Sequence, residues 1–412
     1  MNVAIKYPSP DPAEEPRPPA GARFSRIEIF RDPAQAAPHW RAITDSGGIF
    51  SPYQAYDWVR LWHQHVSGPA GQTPYIVVGF NDDGAPQFLW PLVRGKFGPY
   101  NVVSFFGGKH ATLNIALWQR NAAQDFTAAD MTAVLREIAR QAPELDFVML
   151  SNQPERWRDL PNPFALLPHQ TGTEDNFVLR LGLPGAQIIE REISSTMRSR
   201  LRNKERKLAK LTDYRYAKAE TEADTKRLLD AFFEQKATKL TALGLGNVFA
   251  QPGVESFIRA ACDEGLADGK PVIELHALEG GGEMLALFSG IHDNYRFTSS
   301  FNSHTGSEYS RQSPGLILLQ HLIVDCANRG FETFDIGPGE ARYKTFFCKT
   351  FEPIFDSILP LSPRAHAAAG PLRTFFAMKS AIKRNPTSWR IASAIRGLLN
   401  RIRGRKSESA AD

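Results

Sequence analysis

Cysteine is scarce in this chain. The 412 residues hold three, Cys262, Cys326 and Cys348, far apart and none in a C-x-x-C pair. A disulfide scaffold is excluded and a cysteine-based zinc site is not expected; unpaired thiols fit a reducing compartment. Long apolar runs are absent too: none approaches the ~20 residues that a membrane span needs. Residues 1–23 lack the apolar core of a signal peptide. They are rich in proline and carry Asp11, Glu14 and Glu15, and so read as a disordered arm. Acids are missing from one stretch altogether. From Ser357 to Lys406 there are 11 Lys/Arg and no Asp or Glu.

That gap gives the overall charge its meaning. The chain has 49 Lys+Arg against 44 Asp+Glu, a net of +5, with ordinary globular proportions of 42% hydrophobic and 23% charged residues. Residues 1–356 alone hold 38 basic and 42 acidic groups, a net of −4. A slightly acidic body therefore carries a basic tail. The length suits two or three domains.

Punctuation along the chain predicts a mixed α+β architecture, helices on largely antiparallel sheets. Ser51 with Pro52 signals the start of a helix over Tyr53 to His65, with Trp58, Leu61 and Trp62 on one face. Strands are expected over Tyr75–Phe80 and Gln87–Arg94, joined by the turn Asn81-Asp82-Asp83-Gly84. Val102–Phe106, helix Thr127–Arg140 and strand Asp146–Leu150 follow, and Phe177–Leu181 closes this half. The second half repeats the order: a basic helix from Met197 to Leu211, strand Tyr214–Ala217, helices Asp224–Leu243 and Val254–Leu266, then a meander of Val272–Leu278, Met284–His292 and Tyr295–Asn302. Helix Gly315–Asn328 and strand Thr333–Ile336 end it. The expected divisions are an arm over 1–23, domains over 24–182 and 183–362, and a basic helical tail over 363–412.

Most chemistry lies between residues 304 and 344. Arg311-Gln312-Ser313-Pro314-Gly315 leads into a helix whose first N–H groups and positive dipole end suit a pyrophosphate. Gly315 would let a ligand approach the backbone, and Arg311 adds charge. Plain capping with proline near the start gives the same letters. Around this point stand His304, Glu308, Tyr309, Asp335, Glu340, Tyr343 and Lys344.

The meander, the loop with Gln312-x-x-Gly315, the helix, the strand ending at Ile336 and the block Gly337-x-Gly339-Glu340-x-x-Tyr343-Lys344 resemble the BioF2-like/CelD-like branch of the GNAT acetyltransferase superfamily, near the FemAB-type double-GNAT proteins. The resemblance is clearest over 180–350 and weaker over 45–180. It implies two tandem GNAT-like domains, the first degenerate and the second carrying the motif. It also implies a coenzyme A pyrophosphate on Gln312, Ser313 and Gly315, assisted by Arg311 and Lys344. The family's last small motif residue is Ile317 here. Direct acyl transfer to an amine needs a base, oxyanion stabilisation and an acid for the thiolate, and no covalent triad. Glu308 or Asp335 is the candidate base, and Tyr309 or Tyr343 the candidate acid. No metal site is expected.

The basic helix holds Arg198, Arg200, Arg202, Lys204, Arg206, Lys207 and Lys210 against Glu205 alone. Arg200, Lys204 and Lys207 form a stripe that repels itself unless it meets an anion such as a phosphate or substrate. In the tail, Pro371 and Pro386 are expected to divide two basic amphipathic helical pieces over 371–406, which suit an anionic membrane surface. The function expected is a cytoplasmic N-acyltransferase, peripheral at the inner face of a membrane, using acetyl-CoA or another acyl-CoA. Its acceptor would be an amine on a small molecule or a polysaccharide or envelope precursor. Two alternatives stand beside it: a FemAB-like transferase that draws on aminoacyl-tRNA, and a non-catalytic scaffold of a membrane-associated assembly.

Overall fold

In the computed structural model, which describes residues 23–339 and 343–384, the first half runs β1 (Arg26–Phe30), α1 (Pro33–Asp45), α2 (Tyr56–Trp62), β2 (Pro74–Phe80), β3 (Pro86–Phe97), β4 (Tyr100–Phe105), β5 (Leu117–Trp118), α3 (Arg120–Asp125), α4 (Ala128–Gln141), β6 (Phe147–Pro154), β7 (Arg156–Trp157), β8 (Leu160–Pro161), β9 (His169–Thr171) and β10 (Asn176–Arg180). The second half runs α5 (Gly185–Glu192), α6 (Ser195–Leu208), β11 (Arg215–Lys218), α7 (Glu222–Ala242), α8 (Val254–Asp263), β12 (Glu274–Gly280), β13 (Glu283–His292), β14 (Arg296–His304), α9 (Pro314–Asn328), β15 (Thr333–Pro338), α10 (Lys344–Phe347), β16 (Phe351–Glu352), β17 (Ile354–Pro360) and α11 (Pro363–Arg384).

Local chemistry explains many of these boundaries. Thr127 and Asp130 cap α4 reciprocally, side chain to backbone in both directions. In the β2–β3 turn Gly84 takes φ +77°, and Asn81 Oδ1 accepts the Ala85 N–H at 2.8 Å. The expected helix over Tyr53 to His65 is divided. Ser51 caps only a 3-10 turn, Pro52–Gln54; extended Ala55 interrupts it, α2 starts at Tyr56, and a π-turn over His63–Ser67 ends the run. Ser51 is held there by tertiary structure, because its Oγ donates to the Leu113 carbonyl at 2.5 Å.

The two main sheets share one plan. The first runs β1-β2-β3-β4-β6-β17-β9, with β5 on β3, and the second β11-β12-β13-β14-β15-β10-β16. In each, four antiparallel strands lead to a parallel pair, β4–β6 or β14–β15, bridged by a helical crossover. In each, an antiparallel strand then occupies the sixth place. That strand is exchanged. Phe177–Leu181, expected to close the first half, contributes β10 to the second sheet, while β17 returns to complete the first. The sheets therefore do not divide at residues 182 and 362.

The halves also share a core. Trp58 and Trp62 stack at 5.4 Å, and Phe257 of the second half meets them at 5.1 and 4.9 Å. Gly253, with φ +78°, allows this approach; a Cβ there would lie 1.8 Å from the His65 carbonyl oxygen. Helix α11 continues through Pro371, which was expected to break it. Packing of Ala365 and Ala369 against Val102, Phe147 and Ile358 outweighs the lost backbone bond. The helical piece expected beyond Pro386 lies outside the described residues. Among the described residues no helix is long and apolar enough to cross a membrane.

Candidate functional site

Strands β14 and β15 pair only through Arg296–Thr298 and Thr333–Asp335. Beyond that point β14 continues to His304 and β15 to Pro338 without a shared ladder. Diverging parallel strands leave facing edges of unpaired backbone donors and acceptors, a slot into which an extended amide-bearing chain fits.

The N-terminus of α9 stands at the mouth of this slot. Pro314 opens the helix, no side chain caps it, and Ser313 is left-handed at φ +56°. The helix start is thus free to meet an anion. A Cβ on Gly315 would meet nothing nearer than the His304 Cβ at 3.9 Å, so packing does not demand glycine here. What glycine provides is open space over the first turn. The loop before the helix is braced by Glu283, whose carboxylate accepts from Ser307 at 2.6 Å and from Thr305 at 3.2 Å.

The basic helix α6 is brought to the same place. Lys204 Nζ donates to the Arg311 carbonyl at 2.9 Å and to Ser313 Oγ at 2.7 Å. Burial and then the neighbouring Arg200 and Lys207 charges lower its pKa. Arg200, Lys207 and Arg311 are exposed, and among the described residues none of the three forms an ion pair. The expected phosphate loop and the expected cationic stripe are therefore one surface.

Tyr343 directly precedes α10, and its phenol is hydrogen-bonded to Asn302 on β14. It reaches from the β15 side of the slot to the other strand. Burial raises its pKa. From the first half, Tyr53 donates to the Ser299 carbonyl at 3.5 Å and accepts from Thr112 at 3.0 Å. Its burial pushes the phenol to about 12.

The other candidates have prior engagements. Lys344 is buried, and its ammonium donates to the Gly337 and Pro338 carbonyls at 2.9 and 2.7 Å, closing the chain after β15. Burial lowers its pKa to about 8. Asp335 is 0% exposed; Asn176 and Thr298 donate to it at 3.2 and 3.1 Å, and Arg296 Nε lies 3.4 Å away. Burial raises the Asp335 carboxyl, and Arg296, shared with Glu352, pulls it back. This cluster ties β10, β14, β15 and β16 together where the slot begins. Glu308 is exposed on the loop, and Tyr309 is half-buried beside Leu211 and Tyr214. Glu340 lies outside the described residues. His304 ends β14; its Nε2 accepts from Lys239 at 2.9 Å and its Nδ1 faces the Thr305 carbonyl at 3.1 Å, which assigns the proton to Nδ1.

A cavity of 1140 Å³ opens on the other side of the 304–310 segment, between α7 and the β12–β13 turn. Its wall includes Asp213, Glu234 and Glu283 beside Lys239, while Glu279 is paired with Arg215 and Arg227. Arg215 and Arg227 line the wall too, so four carboxylates face three cations here, whereas the α6 side is cationic.

The corresponding gap in the first sheet is filled. There β4 and β6 pair only at Val102–Val103 and Phe147–Val148. Asn114 donates through its backbone to Asn152 O at 2.9 Å and through its side chain to Ser151 O at 3.2 Å, and it accepts from Gln54 at 2.8 Å. The chain's own loop thus occupies that slot.

Sequence reasoning did not find Asn302, Tyr53 or Lys239. Each meets its partner on another element, and no local pattern marks it. Among the described residues no group of three or more His, Cys, Asp or Glu is placed to hold a metal ion.

Residues 195–345 match the family model described as an acetyltransferase (GNAT) domain. No curated protein matches the chain. Among solved structures, FemX is similar at TM-score 0.53 and 11% identity, with 81% of this chain and 97% of that one covered. A conserved protein of unknown function from Bacteroides thetaiotaomicron is similar at TM-score 0.50 and 11% identity, with 81% and 100% covered.

Proposed function

We propose that this chain, whose residues 195–345 match the acetyltransferase (GNAT) domain model, is an acyltransferase that moves an acyl group from an acyl-CoA directly to an amine on a small molecule or a polysaccharide or envelope precursor. The observation that carries this reading is the open, uncapped α9 N-terminus at the mouth of the β14–β15 slot, ringed by Arg200, Lys204, Lys207 and Arg311. A diphosphate finds backbone N–H donors, dipole and cations together there. The unpaired edges of β14 and β15 would then hold the pantetheine amides and present the thioester deeper in the slot.

The donor, once bound, supplies an activated acyl group; the chain supplies position and protons. Tyr343 is the acid in this reading. Its raised pKa keeps it protonated at neutral pH, and Asn302 holds its oxygen toward β14. Arg296 and Asp335 hold the two strands at the point where they part and do not themselves reach solvent. The cavity beside α7, lined by charged groups of both signs, would take a polar acceptor, which approaches from the face opposite the α6 cations. The filled slot in the first sheet supports donor binding in the second half.

Calorimetry with acetyl-CoA and CoA tests the reading. Wild type is expected to bind both. Gly315→Asp, which sets a carboxylate over the helix N-terminus, should lose binding by about a hundredfold or more while keeping its melting temperature. Equal binding by the variant would move the phosphate site elsewhere. Salt-sensitive binding of charged tRNA, with none of CoA, would replace this reading with the aminoacyl-tRNA alternative.

A further inference from the structure

Helix α11 has two unlike faces. The inner one is fixed to the first sheet: Ala365 and Ala369 are buried, and Ser380 donates to Gly172 O at 2.9 Å. Lys383 pairs with Glu174 at 2.7 Å and Arg384 with Asp175 at 2.5 Å. On the outer face Phe375, Met378 and Ile382 are 59%, 60% and 41% exposed. Their i, i+3, i+7 spacing makes one continuous stripe. The described residues expose eight large hydrophobic side chains, and three of them lie on this stripe. Scattered exposed hydrophobics are ordinary, but three aligned on a rigidly held helix are not.

The surrounding charge identifies what covers them. Lys379 is exposed between Met378 and Ile382 in sequence. The chain continues from residue 385 to 406 with six more Lys/Arg and no acid, alternating with Trp389, Ile391, Ile395, Leu398, Leu399 and Ile402. A second copy of the chain docked through this same face would oppose its own cations, and residues 385–406 are equally basic. An anionic surface complements both the apolar stripe and the charge.

We propose that the Phe375–Met378–Ile382 face of α11 docks on an anionic bilayer, its side chains entering the headgroup boundary and Lys379 meeting lipid phosphates. Because the inner face is fixed to the first sheet, the whole enzyme then sits on the membrane in one orientation. This does not depend on the identity of the acyl donor.

The test is sedimentation of the full chain with phosphatidylcholine vesicles containing or lacking 30% phosphatidylglycerol. The side chains replaced in a Phe375→Ser, Met378→Ser, Ile382→Ser variant point outward, so its melting temperature should match wild type, which circular dichroism checks. Wild type is expected to partition onto the anionic vesicles and weakly onto neutral ones, and the triple variant about tenfold or more less strongly onto the anionic ones. Undiminished partitioning of the triple variant would overturn the proposal, since residues 385–412 would then act without α11. So would failure of wild type to bind either vesicle. A dimer in light scattering that the triple substitution converts to monomer would assign the face to a second copy instead.

Discussion

Among single residues Tyr343 carries the sharpest consequence. Its phenol is buried, bonded to Asn302, and raised above its ordinary pKa of 10.0. Tyr343→Phe removes only the oxygen and keeps the ring in its place. Donor affinity by calorimetry is expected to stay within about twofold, while kcat falls by ~10²–10⁴, the usual worth of a positioned acid. Since the raised group stays protonated throughout, the wild-type rate should show no loss from this phenol between about pH 6 and 9. A variant with unchanged kcat would remove Tyr343 from the chemistry. The sequence singles out Tyr343 because it sits in a compact block after a strand. Its partner is not singled out. Asn302 lies inside a strand between buried Phe301 and Ser303, and only the reach of Tyr343 to it from the segment after β15 gives it a role. Lys344 shows the converse: a prominent cation in the same block is consumed by two backbone carbonyls, which no spacing reveals.

At the level of elements, one carboxylate anchors the start of α11. Asp146 accepts from Arg364 Nε at 2.5 Å, Ser362 at 2.7 Å and the Asn101 N–H at 2.9 Å, and also pairs with Arg364 Nη2. The Arg364 hydrogen bonds come first among the causes that hold its pKa down, to about 2. An unfolded aspartate titrates near ~3.9. The folded state therefore binds its proton less readily, and the stabilisation is present in full above about pH 4 and fades as pH falls toward 2. Asp146→Asn is expected to lower the melting temperature by about 2–5 °C at pH 7. The difference from wild type should shrink steadily as pH falls from about 5 to 2. A gap at pH 2 as large as that at pH 7 would mean that packing, not charge, is what the substitution disturbs. This contact also explains why the sequence misjudged the helix. Pro371 is a local breaker, but Asp146 and the apolar inner face are distant in the chain, and they hold the helix straight through it. The hairpin turn at Asn81–Gly84 and the cap at Thr127 were legible because their partners lie within four residues.

On the scale of the whole molecule, chain order misleads where strands are exchanged. The repeated order of helix and strand correctly suggested two similar halves. Nothing in Phe177–Leu181 said which sheet it joins, because an antiparallel strand of mixed burial fits either. The consequence is mutual dependence. A fragment of residues 183–362 lacks β10, which pairs along β15 from Asn176–Pro338 to Arg180–Thr333 and supplies Asn176 to the Asp335 cluster. A fragment of residues 24–182 lacks β17, whose loss opens the edge of β6 and removes Ile354, Phe355 and Leu359 from the core they fill. Each fragment would also expose its side of the Trp58–Trp62–Phe257 contact. Unpaired sheet edges with apolar faces aggregate. Both fragments are therefore expected to be insoluble or unfolded when expressed alone, and residues 23–384 should melt in a single calorimetric transition. A well-dispersed amide spectrum from residues 183–362 alone would show that β10 is dispensable. In that case the second half would be an independent acyltransferase domain, and the first would be an addition to it rather than a part of its fold.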